Sequence, residues 1–416
     1  MTETAALPIQ NSVIVIVGAG QAGGETASEL RKQGYAGRIV LVGEEPQVPY
    51  RRPPLSKAFL SGAATEESLY LMPVAGWHKQ NVEFIGGMRA KAIDRERQQL
   101  HLADGRSLAY DKLVLATGGR ARLLSTPGAD KSNVFAVRSI ADVRGLHAFR
   151  EAGKRAVIVG GGFIGLEVAA VLTKLGLHVT VLEGLPRVLA RVTVPEVSAF
   201  FERVHREAGV DLRTNVQISA FEGADAVEQV LLADGTRIPA DFVIAGIGQL
   251  PNVELAQDAG LTVDNGIVVD EYARTADPHI YAAGDCANHP NAFFDCRLRL
   301  ESVQNAMEHG RAVAANLLGK NAIYNVVPWF WSDQYDLKLQ MVGLSKGFDR
   351  MIVRGDFSGR AFAAFYLKDG RMIAADTVGR PQDFMFAKKL VAMRAVVDAA
   401  QLADEAVPLK NLVPAA

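Results

Sequence analysis

Two short glycine patterns constrain this 416-residue chain more than any other feature. Gly18-x-Gly20-x-x-Gly23 follows the apolar run Val13–Val17, and Gly160-x-Gly162-x-x-Gly165 follows Ala156–Val159. Each run reads as a strand covered on both faces. Each pattern opens a helix: one reaches about Lys32 with Gly34 suited to its C-cap, the other is Phe163–Leu175 with Gly176 as its cap. A second strand then ends on acid, Arg38–Val42 running to Glu44 and Glu45, and His178–Leu182 to Glu183. In such a unit the first glycine permits a tight turn, the second lets backbone approach a pyrophosphate, and the third packs helix against strand. The helix N-terminus faces the phosphates with free N–H groups and a positive dipole end. Glu44 and Glu183 stand where a carboxylate can accept both hydroxyls of an adenosine ribose. The chain therefore reads as carrying two dinucleotide pockets.

The length calls for two or three domains. A hydrophobic content of 49% and a charged content of 22% are those of a soluble globular protein. The net charge of −1 gives no global attraction for nucleic acid or membrane, so a charged partner must be met by a local patch. No apolar run approaches the roughly 20 residues of a membrane helix. The opening "MTETAALPIQNS" lacks the basic and apolar regions of a signal peptide, which points to the cytoplasm. Cys286 and Cys296 form no CxxC, and the eight histidines show no HxxxH or HExxH, so neither a metal centre nor a dithiol is expected.

Strand-like and helix-like segments alternate, as in α/β layers built on parallel sheets. Lys112–Gly119 is a strand running into a turn, and Asp241–Asn252 is its parallel in the second unit. Ile280–Ala287 is a strand ending on Gly284-Asp285, and a helix from Val303 to about Leu318 is capped by Ser302. After Pro328 the texture changes. Alternating strands at Ala361–Leu367 and Arg371–Asp376, joined through "KDG", suggest a smaller α+β domain beginning near residue 327. Beyond the paired fingerprints no internal repeat stands out.

Two dinucleotides held together suit hydride transfer from a nicotinamide to a flavin, in which the protein supplies orientation. One half would hold FAD and the other NADH. Glu183 disfavours the additional phosphate of NADP, although Arg187 lies four residues on and would welcome it.

The later segments "ATGG", "GIGQLPN" and "AAGDCA" resemble signatures of the two-dinucleotide flavoprotein reductases, whose fold is glutathione-reductase-like. "YRRPPLSKAFL", "GGGFIGLEVAA", "RLESVQNA" and "PWFWSDQYDLKLQMVGLS" resemble the ferredoxin reductases that serve bacterial cytochrome P450s and Rieske oxygenases, and the likeness runs along the whole chain. The resemblance implies two Rossmann-like domains plus a C-terminal α+β domain. A discontinuous FAD domain would occupy 1–118 and 245–326, an NADH domain 119–244, and a partner-docking domain 327–416. It implies that Lys57 lies at the reactive edge of the flavin and pairs with Glu167. It implies that Ala22, Ala90, Thr117, Gly118, Arg138, Asp285, Val303 and Trp331 join Gly18, Gly20, Gly23 and Glu44 around FAD. It places Phe163, Ile164 and Gly248 with Gly160, Gly162, Gly165 and Glu183 around NADH. The helix after Ser302 would aim its positive end at the flavin's pyrimidine edge.

On the same resemblance the electron acceptor is a [2Fe-2S] ferredoxin, and the protein is a monomer or weak dimer. Ferredoxins are usually acidic, and from Lys338 to Arg394 there are 11 Lys and Arg against 5 Asp and Glu. Arg297, Arg299 and Arg311 could extend such a docking surface, and Trp329 and Trp331 resemble an aromatic segment beside it. The cysteine-free stretch Glu44–Ser61 leaves no dithiol for a disulphide substrate, and Cys286 reads as a packing thiol. The alternatives are an NADH:quinone or NADH:oxygen oxidoreductase, or an interaction protein like apoptosis-inducing factor. The ending "EAVPLKNLVPAA" is too short and too broken by proline for a membrane-facing helix.

Overall fold

A computed structural model describes residues 12–414; the opening segment read above for targeting lies outside the described residues up to Asn11. The chain folds into two compact units. One comprises the chain up to Arg51, Glu66–Arg120 and Leu250–Val326; the other comprises Arg52–Thr65, Ala121–Gln249 and Val327–Ala416. The "PPLSK" stretch and the C-terminal domain thus share a unit with the second fingerprint.

In the first unit a five-stranded parallel sheet runs in the order Ile280–Ala282, Lys112–Leu115, Val13–Val17, Arg38–Val42, Val82–Ile85. Ile14, Val15 and Ile16 have no exposed surface, as the uninterrupted apolar run requires. Burying each such side chain contributes roughly 1.5–3 kcal/mol relative to leaving it in water. Helix Gln21–Lys32 follows the central strand and packs on helix Val303–Leu317. The contact is close: a Cβ on Gly310 would stand 2.8 Å from the Ala22 carbonyl oxygen.

The second unit repeats the plan. Its parallel sheet runs Asp211–Arg213, His178–Leu182, Arg155–Val159, Phe242–Ala245, Val134–Phe135. Helix Phe163–Lys174 follows the central strand, with Leu175 as C-cap and Gly176 at φ 85° beyond it. A separate five-stranded antiparallel sheet in this unit runs Trp329–Gln334, Leu337–Gly343, Arg371–Val378, Phe362–Lys368, Arg350–Gly355. Helix Pro381–Ala392 packs on it through Phe384, Ala387, Leu390 and Val391. The hairpin at "KDG" turns through Asp369 and Gly370, both at positive φ, as a two-residue turn between twisted strands demands.

The internal duplication is deeper than the paired fingerprints, which corrects the sequence reading. A three-stranded antiparallel meander precedes strand Lys112–Leu115 in one unit, as Ala90–Asp94, Gln99–Leu102 and Ser107–Ala109, and strand Phe242–Ala245 in the other, as Ile218–Glu222, Gln229–Leu232 and Arg237–Pro239. The segments "LADGRSLAYDKLVL" (102–115) and "LADGTRIPADFVIA" (232–245) run through the same succession of strands and turns. Asp111 Oδ2 accepts from the Val13 amide at 2.6 Å, and Asp241 Oδ2 accepts from the Arg155 amide at 2.7 Å. Each aspartate ties down the start of its central strand. The two segments share the run Leu-Ala-Asp-Gly and the later aspartate, and differ at most other positions, so the repeat is short in sequence and plain in hydrogen bonding.

Candidate functional site

Both glycine turns are built alike. Gly18 at φ 110° donates to the Val42 carbonyl at 2.8 Å, and Gly160 at φ 106° donates to the Leu182 carbonyl at 2.8 Å. A Cβ on Gly23 would lie 1.9 Å from the Gly18 oxygen, and one on Gly165 would lie 2.1 Å from the Gly160 oxygen. These glycines are demanded by backbone packing. Gly20 and Gly162 differ: a Cβ on either meets nothing within 4 Å, and neither helix has a side-chain cap. Open space beside uncapped amide groups at a strand-order switch point is what a pyrophosphate needs. The residues present therefore fit a dinucleotide pyrophosphate at each turn.

In the first unit the ends of the neighbouring strands are fastened together. Thr117 Oγ1 donates to the Asn252 carbonyl at 2.6 Å, and the Asn252 amide donates to the Gly118 carbonyl at 2.9 Å. Asp285 sits in the turn Gly284–Cys286, and Gly284 at φ 79° packs against Ala22. Val303 is the first residue of its helix, whose Ser302 Oγ accepts from the Asn305 amide at 3.1 Å. Ala90 opens the first meander strand. Glu44 is not the counterpart of Glu183: Val42 and Leu182 occupy equivalent register positions, so Gly43 matches Glu183 and Glu44 lies one residue further on. Its side chain is 73% exposed, 3.9 Å from Arg89.

In the second unit a cavity of about 420 Å³ lies over the second turn, bounded by Gly160–Gly162, Phe163, Glu183, Arg191 and Ile247. Glu183 Oε2 accepts from the Gly161 amide at 2.6 Å and Oε1 accepts from the Leu185 amide at 2.8 Å. The carboxylate is thereby fixed at the cavity wall with lone pairs to spare. Arg187, whose position in sequence suggested a phosphate reader, is committed elsewhere. Its guanidinium donates to Ser198 Oγ at 2.6 Å and to the Ala190 carbonyl at 3.1 Å. Ile164 is exposed at the helix start, and Gly248 stands at φ 98° with Arg191 beside it.

The same unit holds the predicted Lys57–Glu167 pair. The prolines of "PPLS" form a 3-10 turn, Pro53–Ser56, that ends at Lys57 before the short helix Ala58–Ser61. Lys57 Nζ donates to Glu167 Oε2 at 2.6 Å, with Glu167 buried and Lys57 about a fifth exposed. Two hydroxyls complete the carboxylate's partners: Ser56 Oγ donates to Oε2 at 2.6 Å and Ser332 Oγ to Oε1 at 2.7 Å. The chain of donors continues. Gln334 Nε2 donates to Ser332 Oγ at 3.2 Å, and Gln334 Oε1 lies 2.9 Å from His205 Nε2. An amide oxygen only accepts, so His205 carries its proton on Nε2, and Nδ1 accepts from Tyr335 at 3.1 Å. Burial lowers the His205 pKa to about 4, keeping it neutral, and burial raises that of Tyr335 to about 12. Every donor in this chain points toward Glu167, an arrangement that strengthens its bonds cooperatively. Nothing in the sequence marked Ser332, Gln334 or His205, because they converge only through folding.

Arg138 and Trp331 belong to this unit as well. Arg138 precedes the helix Ile140–Leu146, its carbonyl accepting from Arg52 and its amide donating to Asp142 at 3.0 Å. Trp331 is half-buried, 5.6 Å from Trp329, and Lys388 Nζ stands 4.6 Å above the Trp329 ring. The basic excess of the C-terminal domain is partly internal: Arg354 is buried and donates to the Asp404 and Val407 carbonyls at 2.8 Å. Arg297, Arg299 and Arg311 are likewise engaged locally, Arg297 with the Val269 carbonyl at 2.7 Å, Arg299 with Glu301 at 2.6 Å and Arg311 with Glu25 at 2.7 Å. In the first unit burial pushes the Cys286 thiol pKa up and its Sγ lies 3.3 Å from the Ala283 carbonyl, a packing role as expected. Behind Gly284, His309 stacks on Tyr324 at 4.2 Å, an aromatic contact that sequence reasoning missed.

Residues 12–310 match the pyridine nucleotide-disulphide oxidoreductase family, and residues 329–413 match the reductase C-terminal family. The chain is 50% identical over 412 residues to putidaredoxin reductase of Pseudomonas putida, covering 98% of each. It is 44% identical over 403 residues to a ferredoxin–NAD(P)+ reductase of Sphingomonas sp, covering 96% of this chain and 97% of the relative. The solved structure of the covalent putidaredoxin reductase–putidaredoxin complex matches with a TM-score of 0.95 at 50% identity, covering 97% of this chain and 98% of that one. Twin nucleotide turns and a chain-long match to reductases agree: the protein belongs to the pyridine nucleotide-disulphide oxidoreductase family, as an FAD-dependent, NAD(P)H-using oxidoreductase of its ferredoxin reductase branch.

Proposed function

We propose that the protein accepts hydride from NADH onto FAD and passes electrons one at a time to a [2Fe-2S] ferredoxin serving a cytochrome P450 or Rieske oxygenase, in the cytoplasm. The observation that carries this reading is the duplicated nucleotide turn, each copy with open space at its middle glycine. FAD, when bound, supplies the exchange between two-electron and one-electron chemistry. The first turn and its uncapped helix bind the FAD pyrophosphate, with Ala22, Ala90, Thr117, Gly118, Asp285 and Val303 along the rest of the molecule. The second turn, Phe163, Ile164, Gly248 and the ribose-directed Glu183 hold NADH. Lys57 presents a cation whose direction is fixed by Glu167, and the Glu167 carboxylate is itself held in place by Ser56 and Ser332. A fixed positive charge stabilises negative charge that develops beside it, which is the service Lys57 renders at the flavin's reactive edge.

The ferredoxin docks on the C-terminal domain, where Lys388 and Lys389 stand with exposed Met385 and Met393 on one helix and its C-terminal end. Basic groups there steer an acidic partner. The test is steady-state turnover of NADH with purified ferredoxin, with a quinone analogue and with oxygen alone. Rapid turnover that depends on ferredoxin and weakens with salt is expected. Equal rates with quinone or oxygen and no ferredoxin would overturn the assignment.

A further inference from the structure

The loop that follows Glu183 is pinned on both sides of one residue whose own side chain is unpaired. Leu189 sits at φ 54°, a left-handed conformation uncommon for leucine, and its amide donates to the Gly161 carbonyl at 3.0 Å. Arg187 holds the Ala190 carbonyl, and the Thr193 amide returns to the Leu189 carbonyl at 3.2 Å. Thr193 Oγ1 donates to the buried Asp376 at 2.5 Å. Between these anchors stands Arg191, exposed at the cavity wall. Among the described residues its guanidinium makes no hydrogen bond or ion pair. Its nitrogens would lie 3.6 and 3.8 Å from a Cβ built on Gly248.

Among the described residues lining this cavity, Glu183 and Arg191 alone carry charge. Glu183 is held by the Gly161 and Leu185 amides, and its negative charge cannot serve a phosphate. A dinucleotide entering over the second turn brings a doubly charged pyrophosphate, and the helix N-terminus offers only partial positive charge to it. We infer that Arg191, not Arg187, is the phosphate-binding cation of the second nucleotide site, and that it clamps the pyrophosphate shared by NADH and ADP-ribose. The loop's anchors fix its backbone before the ligand arrives, so little ordering cost remains to be met on binding. A guanidinium suits this work because it can donate two parallel bonds to phosphate oxygens. The inference rests on reading the cavity as the nicotinamide-dinucleotide site.

The experiment is calorimetric titration of the oxidised holoenzyme with NAD+ and with ADP-ribose, for the wild type, Arg191→Ala and Arg191→Lys, at several salt concentrations. Arg191→Ala should weaken both ligands by about 10–100-fold and flatten their salt dependence, with its melting temperature unchanged. Arg191→Lys should recover part of the loss by keeping the charge without the fork. Wild-type affinity for both ligands in Arg191→Ala would overturn the clamp. A wild-type protein that binds neither NAD+ nor ADP-ribose would instead overturn the reading of the cavity itself.

Discussion

The hydroxyl of Thr193 donates to Asp376 Oδ2 at 2.5 Å, joining a strand of the C-terminal sheet to the loop that walls the cavity beside Glu183. Tyr366 donates to the same oxygen at 2.8 Å, and among the described residues Asp376 has no partner of opposite charge. Burial raises its pKa from 3.8 to about 6. The folded state thus holds this proton more tightly than the unfolded chain does. The associated stability is complete below pH 4 and is lost as pH rises through 6. At pH 8 an ionised Asp376 costs about 3 kcal/mol. Asp376→Asn should therefore melt at a higher temperature than wild type at pH 8, with the gap closing toward pH 4. A gap that does not change with pH would show that Asp376 is not the titrating group.

His205 works in the opposite direction. Its folded-state pKa of about 4 is depressed by burial, so the stability it contributes is present above about pH 6.5 and lost as pH falls through 4. In His205→Gln, which keeps a donor toward Gln334, the acid limb of the melting curve should shift to lower pH. An unshifted acid limb would remove His205 from that account.

Lys57→Met should retain FAD while slowing its reduction by NADH about 10–100-fold, read by rapid-mixing absorbance. Ser332→Ala removes one of the hydroxyls that hold Glu167 and should slow the same step less, about 3–10-fold, with Ser332→Thr close to wild type. Unaltered reduction rates in Lys57→Met would make the ion pair a structural feature only.

The glycines of the second turn separate folding from binding. Gly165→Ala drives a Cβ to within 2.1 Å of the Gly160 oxygen and should destabilise the unit by several kcal/mol, on the order of the larger core substitutions. Gly162→Ala meets open space at an ordinary φ of −80° and should fold normally, yet lose most of its NAD+ affinity. Equal melting temperatures for the two variants would contradict this division.

Glu183→Arg should invert the nicotinamide preference toward NADPH, measured as the ratio of kcat/KM for the two reductants. It also removes the acceptor from Gly161 and Leu185, so a modest loss of stability should accompany the change. An unchanged ratio would take Glu183 out of cofactor selection.

Both nucleotide turns, their strands and their helices were legible because they are local. A glycine that must take φ near 110° and a neighbour that tolerates no Cβ leave a pattern within a few residues. The Ser302 cap and the "KDG" hairpin were legible for the same reason. Glu44 and Glu183 look equivalent in sequence, whereas register, set by pairing across the sheet, places Glu44 one residue beyond the position of Glu183. Arg187 and Arg191 are both basic residues shortly after Glu183, and only side-chain partners distinguish the committed cation from the unpaired one. The basic C-terminal excess looked larger in sequence than it is at the surface, since Arg354 is consumed inside.

By itself the sequence determined that there are two nucleotide turns, which glycines they require, and that a buried strand leads into each. Those demands arise from backbone sterics and apolar periodicity, which act over a few residues. Tertiary structure alone decided that His205, Gln334 and Ser332 form one directed chain onto Glu167, with Ser56 donating to the same carboxylate. It alone decided that Asp111 and Asp241 perform the same task in two units. Hydrogen bonds between residues far apart in the chain leave no periodic trace, so they appear only once packing has brought their partners within reach.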